Sequence, residues 1–236
     1  MKNIQKNMNY YNDTELNSLD YRQALVIDKR NYFQYYWSLI KKKHILIFAF
    51  FPTNDYNSMI IKICLFLFSF VLYYTVNALF FNDSTMHKIY EDKGAFNIFY
   101  NIPQILYSTI ISSVINMIVK NLSLSEKNVL ALKNEKTNEN IDKKLPKVLK
   151  CLVIKFVLFF IICILFLLLF WYYLSCFCAV YKNTQYYLIK DTLISFCLSL
   201  LYPFGLNLIP GMIRIPSLKT NNKECMYKIS KIIQLI

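Results

Sequence analysis

A chain of 236 residues that is 56% hydrophobic and 17% aromatic carries more apolar mass than the core of one soluble domain needs, so a membrane class comes first. Its formal charge of +13 admits either nucleic acid or an anionic bilayer surface as partner, and only the distribution of that charge separates them. Three glycines and six prolines leave few turns and too little glycine for a phosphate-cradling loop, while the long Leu, Ile, Phe and Val runs exceed strand lengths.

In chain order, the first forty residues are polar and lack an apolar stretch followed by a small-residue cleavage site. No cleavable signal peptide is expected, and the first span then acts as its own insertion signal. Residues 1–58 are expected as a cytosolic segment. Within it Tyr32, Tyr35, Tyr36, Leu39 and Ile40 recur at helical spacing as an interfacial amphipathic helix, followed by Lys41, Lys42 and Lys43. The run His44 to Phe51 is too short to cross a bilayer before Pro52 stops it.

A spanning helix needs about 17–25 mostly apolar residues, and four stretches qualify. The first is Ile63 to Phe81, entered from Lys62 and left at Asn82 and Asp83. The second, about Phe96 to Val119, is less apolar and holds Pro103 in its first turns, where a missing N–H costs least. These two form a helix pair within 59–124, and 125–155 is a basic cytosolic linker rich in Lys, Asn and Glu. The third, Phe156 to Val180, contains no charge and carries Trp171, Tyr172 and Tyr173, which suit an interfacial belt although they sit before the apolar run ends. The fourth, Thr192 to Ile213, holds Pro203, Gly205, Pro210 and Gly211, and a kink or a broken end is expected there. The second helix pair therefore occupies 156–213. In the tail, 214–236, Met226, Ile229, Ile232, Ile233 and Ile236 share one helical face, with Lys228, Ser230, Lys231 and Gln234 opposite. The expected fold is all-α and integral to a membrane, with four transmembrane helices plus amphipathic interfacial helices.

Orientation follows from the basic residues of the connections. Residues 1–58 hold eight Lys and Arg, 120–155 hold nine and 214–236 hold five, whereas 82–94 and 182–191 hold two each. That alternation predicts both termini in the cytosol. It assigns the surplus charge to anionic lipid on the cytosolic face and leaves nucleic acid without a role. Lys41, Lys42, Lys43, Lys228 and Lys231 are the candidate anionic-lipid contacts.

Bounded in this way, the spans contain no Asp, Glu, Lys, Arg or His, which lowers ion-coupled carriers, proton relays and voltage sensors as readings. The second span carries Gln104, Ser108, Ser112 and Asn116 at successive i+4 positions, with Thr109 and Ser113 alongside. These groups need partners in hydrocarbon, so the face either packs on other helices or lines a polar path. Seven cysteines form an odd set, mostly inside apolar runs, and Cys176-Phe177-Cys178 lacks the paired spacing of a zinc or redox site. Cys151, among Lys147, Lys150 and Lys155 beside the third span, is a candidate for acylation. His44 and His87 lie in no ligand pattern, and no nucleophile motif or spaced carboxylate pair is present. Neither an enzyme nor a cofactor is expected. Of the sequons at Asn12, Asn82 and Asn121, only Asn82 would face outside.

Several phrases resemble a module of large surface proteins of ciliate-like protists. They are 28–40 (DKRNYFQYYWSLI), 51–58 (FPTNDYNS), 82–94 (NDSTMHKIYEDKG), 122–126 (LSLSE), 202–204 (YPF) and 207–211 (NLIPG). The resemblance covers roughly Leu19 to Ile236. It implies a multi-pass C-terminal membrane portion that follows a large cysteine-rich extracellular part, and it supplies no site residues.

Two functions remain in view. The preferred one is a non-enzymatic membrane anchor or scaffold, with basic segments on anionic lipid and a homo-oligomer among its candidate assemblies. The alternative is an oligomeric channel or facilitator whose path is lined by the second span.

Overall fold

The computed structural model describes residues 11–53, 55–93, 95, 98–133, 138–220 and 223–235, and every regular element among them is helical. Phe96, Ile236 and linker positions 134–137 lie outside the described residues. Four helical stretches are long and apolar enough to cross a membrane, Met59–Leu79, Asn101–Ser123, Ile141–Val180 and Gln185–Lys219, so the chain is a multi-pass membrane protein. It divides into two units, residues 57–200 and a second made of 1–56 with 201–236.

In the terminal unit, α1 (Asp13–Ser18) and α2 (Tyr21–Ile27) precede α3 (Tyr32–Lys43) and α4 (Ile45–Phe50). Reciprocal capping boxes start α1, from Asn12 and Glu15, and α3, from Asn31 and Gln34, which satisfy amide groups that a helix start leaves unpaired.

The larger unit holds α5 (Met59–Leu79), α6 (Asp83–Glu91), α7 (Ile98–Ser123), α8 (Glu126–Lys133), α9 (Asn138–Val180) and α10 (Gln185–Ser199). Helix α5 is central, in contact with α7, α9 and α10, and half of its apolar window is buried against 11% for α9. Its inward positions Leu65, Phe68, Leu72 and Val76 recur at three and four residues, as one face of a helix must, and Asn77 flanks the last of them. From Phe156 onward helix α9 is instead apolar around its circumference and mostly outward-facing, which suits lipid contact. Asn57 Oδ1 accepts from the amides of Ser125 (3.1 Å) and Glu126 (3.3 Å) and thereby caps α8 from a distant part of the chain.

The chain returns to the terminal unit through α11 (Tyr202–Leu206), α12 (Leu208–Lys219) and α13 (Glu224–Leu235). Two apolar clusters close this unit: Leu16, Leu19, Ala24 and Tyr227, and Tyr35, Leu39 and Ile215. Gly211 lies against Tyr32, and a Cβ there would stand 2.8 Å from the ring. Because Tyr32 also donates its hydroxyl to Leu208 O at 3.1 Å, the ring has little freedom to retreat. Gly211→Ala is therefore expected to lower stability by about 1–3 kcal/mol through overpacking, despite alanine's better helix propensity. Thermal unfolding in detergent checks this, and an unchanged or raised midpoint contradicts it.

The elements run beyond the bounds expected from hydropathy. Helix α9 is one piece of 43 residues, about 65 Å long and roughly twice the hydrocarbon thickness. Much of the linker is thus helical, and Pro146 removes one N–H without ending the helix. The fourth apolar stretch breaks into α10, α11 and α12 around Pro203 and Asn207, which is the interruption that its prolines imply. Helix α5 starts before Lys62, α10 before Lys190 and Asp191, and α12 continues through Arg214. The spans expected to be free of ionisable groups therefore carry them once helical continuity, rather than hydropathy, sets the bounds. Lys62, Asp191 and Arg214 are each buried.

Candidate functional site

Two polar clusters stand out, one in each unit. In the larger unit, three helices bring polar side chains into a column. Asn77 on α5 is its hub and is fully buried. Its Nδ2 donates to Thr192 Oγ1 on α10 (3.1 Å), while its Oδ1 accepts from Gln104 Nε2 (3.1 Å) and Ser108 Oγ (3.3 Å) on α7. One level away Asn101 Nδ2 donates to Asp191 Oδ1 (3.0 Å), and Tyr73 donates its hydroxyl to Ser195 O (3.1 Å). Toward the other end Ser69 Oγ donates to Asn116 Oδ1 at 2.9 Å. From Asn101 to Asn116 the column extends about 22 Å along α7.

Of the four residues singled out on the second span, Gln104, Ser108 and Asn116 thus meet partners on α5. The Ser112 hydroxyl is buried without one, as are Asp191 Oδ2 and Ser195 Oγ. Hydrocarbon makes this pattern intelligible: each satisfied pair removes a polar group from lipid, and Ser or Asn every fourth residue keeps them on one face. Sequence reading located the α7 face but not its main partner. Asn77 lies between Val76 and Ala78 in an apolar run, and its isolation there was the available signal.

In the terminal unit, Asp28 sits between two guanidinium groups. Its Oδ1 accepts from Arg30 Nε (2.8 Å), and its Oδ2 accepts from Arg30 (2.9 Å) and from Arg214 (2.9 Å). Arg30 also donates to Asn17 Oδ1 (2.8 Å) and Ser38 Oγ (3.2 Å), and Arg214 donates to Leu16 O (2.8 Å). The Arg214 guanidinium lies between the rings of Tyr35 and Tyr227, 4.9 and 4.7 Å from their centroids. Burial pushes the Asp28 carboxyl up, but the bonds and charges of Arg30 and Arg214 outweigh it and hold the group below the usual carboxylate value. Burial pushes the Tyr227 phenol up to about 12, and its hydroxyl donates to Leu19 O at 2.7 Å. This clasp joins α1, α2 and α3 to α12 and α13. None of its charged members was anticipated. The signal lay in composition: only three of the 27 basic residues are arginine, and two of those three are buried here, where a planar fork can serve several acceptors.

The five lysines assigned to lipid are in part held by the protein. Lys41 pairs with Asp13 (3.1 Å), Lys228 with Glu224 (2.8 Å), and Lys231 donates to Ser18 O (3.0 Å); Lys42 and Lys43 are half-buried. Helix α13 turns Tyr227 and Ser230 inward and leaves Met226, Ile229 and Ile232 exposed. Cys151 is exposed on α9, and all seven cysteines are free thiols. Asn82 is the N-cap of α6, its Oδ1 accepting from Thr85 N at 2.9 Å.

Comparison with protein-family models, curated proteins and solved structures finds no match to this chain.

Proposed function

We propose that this chain is a non-enzymatic integral membrane anchor or scaffold, with both termini on the cytosolic side and its terminal unit seated on anionic lipid. The orientation of α13 carries the reading: Tyr227 and Ser230 are taken up by the protein, Lys228 stays exposed on the flank, and Met226, Ile229 and Ile232 face outward. An amphipathic helix at an aqueous surface would do the reverse, and an outward apolar face suits the boundary of headgroups and acyl chains. Phe33 and Trp37, one turn apart on α3, are likewise exposed. Three of the four α7 polar residues are bonded to α5, which supports a role in holding helices together over one in lining a path. Lysines are drawn to an anionic surface, so Lys228 on the α13 flank would reinforce the seating.

The test places a nitroxide at position 229 in full-length protein whose native cysteines are replaced, reconstituted in vesicles containing anionic lipid. Collisions with oxygen should exceed those with a water-soluble nickel chelate at 229, and the order should reverse at position 228. Greater chelate access at 229 would sink the proposal.

A further inference from the structure

Asp191 is the acidic residue of the polar column, and its surroundings have an unusual imbalance. The residue is 8% exposed, Oδ1 has the Asn101 amide as its donor, and Oδ2 is buried with no partner. Ser195 lies one helical turn further along α10, is fully buried, and its hydroxyl also lacks a partner. Among the described residues no Lys, Arg or His is hydrogen-bonded to this carboxyl. Lys190, its neighbour on α10, is exposed. From α5 the titratable group that reaches α10 here is Tyr73, whose hydroxyl is directed to Ser195 O. From α7 come Asn101, Gln104 and Ser108, which are neutral. A carboxylate removed from water without a cation costs several kcal/mol, so such a group takes a metal, a paired base or a proton. Lys190 acts on this carboxyl through its charge, without a hydrogen bond to it among the described residues, and those residues gather no group of three His, Cys, Asp or Glu as metal ligands.

We propose that Asp191 is a reversible proton-binding site within the membrane, held between α7 and α10. A proton from the aqueous phase forms an O–H bond at Oδ2, which changes the group from −1 to neutral and turns that oxygen from acceptor into donor. The Ser195 hydroxyl, one turn along α10, is not bonded to Oδ2 in this arrangement; on rotating to meet it, it would accept from the acid or donate to the carboxylate. Asn101 donates to Oδ1 in either state. Ionisation strengthens the Asn101 bond between α7 and α10, because a carboxylate oxygen is the better acceptor, and so ties the proton to helix packing beside the Asn77 hub. The inference requires that the chain be embedded in a membrane, and it stands whether the protein is an anchor or something else.

Infrared difference titration of the full-length protein in lipid bilayers tests it. A protonated-carboxyl C=O band should appear and disappear with pH, be lost in Asp191→Asn, and shift in frequency in Ser195→Ala. Asn101→Ala should move its midpoint by about tenfold in proton affinity, because one donor to the charged form is removed. That variant also serves if Asp191→Asn does not fold. Exchange of sodium for choline should leave the titration unchanged. A band insensitive to Asp191→Asn, or an Asn101→Ala midpoint equal to that of the unaltered protein, overturns the proposal. Displacement of the proton by sodium at fixed pH overturns it in favour of a metal-cation site.

Discussion

Asp28→Asn should loosen the terminal unit by about 3–5 kcal/mol, the range expected when one member of a buried charge cluster is neutralised and its partners stay buried. Two guanidiniums would then share one carboxamide, whose amide nitrogen donates where each arginine requires an acceptor. Arg214→Leu should cost a similar amount through a different route. It removes the bond to Asp28 and the cation held between Tyr35 and Tyr227, while Arg30 keeps the carboxylate partly compensated. Because the two residues touch, their effects should be strongly non-additive, and the double variant should be less damaged than the sum of the single ones. Hydrogen exchange over residues 15–28 and 214–230 in detergent or bilayers measures this. Protection unchanged in Asp28→Asn would show that the clasp does not hold the unit.

The same carboxyl sets a pH dependence. Its folded value lies below the ordinary 3.8, so the protonated state favours the unfolded chain. The stabilisation is fully present above the unfolded value and is lost as pH falls through the folded one. Exchange protection of the terminal unit should therefore persist through pH 5 and fail only below about pH 4. In Asp28→Asn the acid-dependent part of that loss should disappear.

Asn77→Leu should be the most damaging single change in the membrane unit. One side chain joins α5 to both α7 and α10, and its loss strands Thr192 and Ser108 among apolar neighbours and leaves Gln104 only the longer bond to the backbone carbonyl of position 77. Interhelical hydrogen bonds in membranes contribute about 0.6–2 kcal/mol each, so removal of three is expected to cost roughly 2–5 kcal/mol. Ser112→Ala supplies the contrast. Its hydroxyl is buried without a partner, so its deletion should be neutral or slightly stabilising. Unfolding of both variants in detergent, followed by the loss of helical circular dichroism, separates them. Equal effects would mean that the column is not organised around Asn77.

How the sequence and the structure divide the description can be seen residue by residue. Gln104, Ser108, Ser112 and Asn116 were legible as a face because i+4 recurrence is a local property. Their partners were not, since periodicity on α7 says nothing about which helix lies opposite. Asp191 was assigned to a loop because it adjoins Lys190 in a polar stretch. The helix begins at Gln185 all the same, and its buried side then takes in Leu188, Asp191, Thr192 and Ser195 at three- and four-residue steps. The tail's apolar stripe was also visible. Its outward direction depended on Tyr227 reaching Leu19 O and on Gln234 accepting from the Tyr35 hydroxyl.

The sequence by itself determined the solvent of this protein and its all-helical class. Four apolar runs of spanning length, an almost breaker-free interior and clustered lysines are sums over neighbouring residues, and partition into hydrocarbon depends on such sums. The tertiary structure alone decided which polar groups are satisfied. Asp28 and Arg214 stand 186 positions apart, and Asn77 and Thr192 stand 115 apart. Hydrogen bonds and ion pairs act over about 3 Å, so their formation depends on the closed chain and leaves no periodic trace along it.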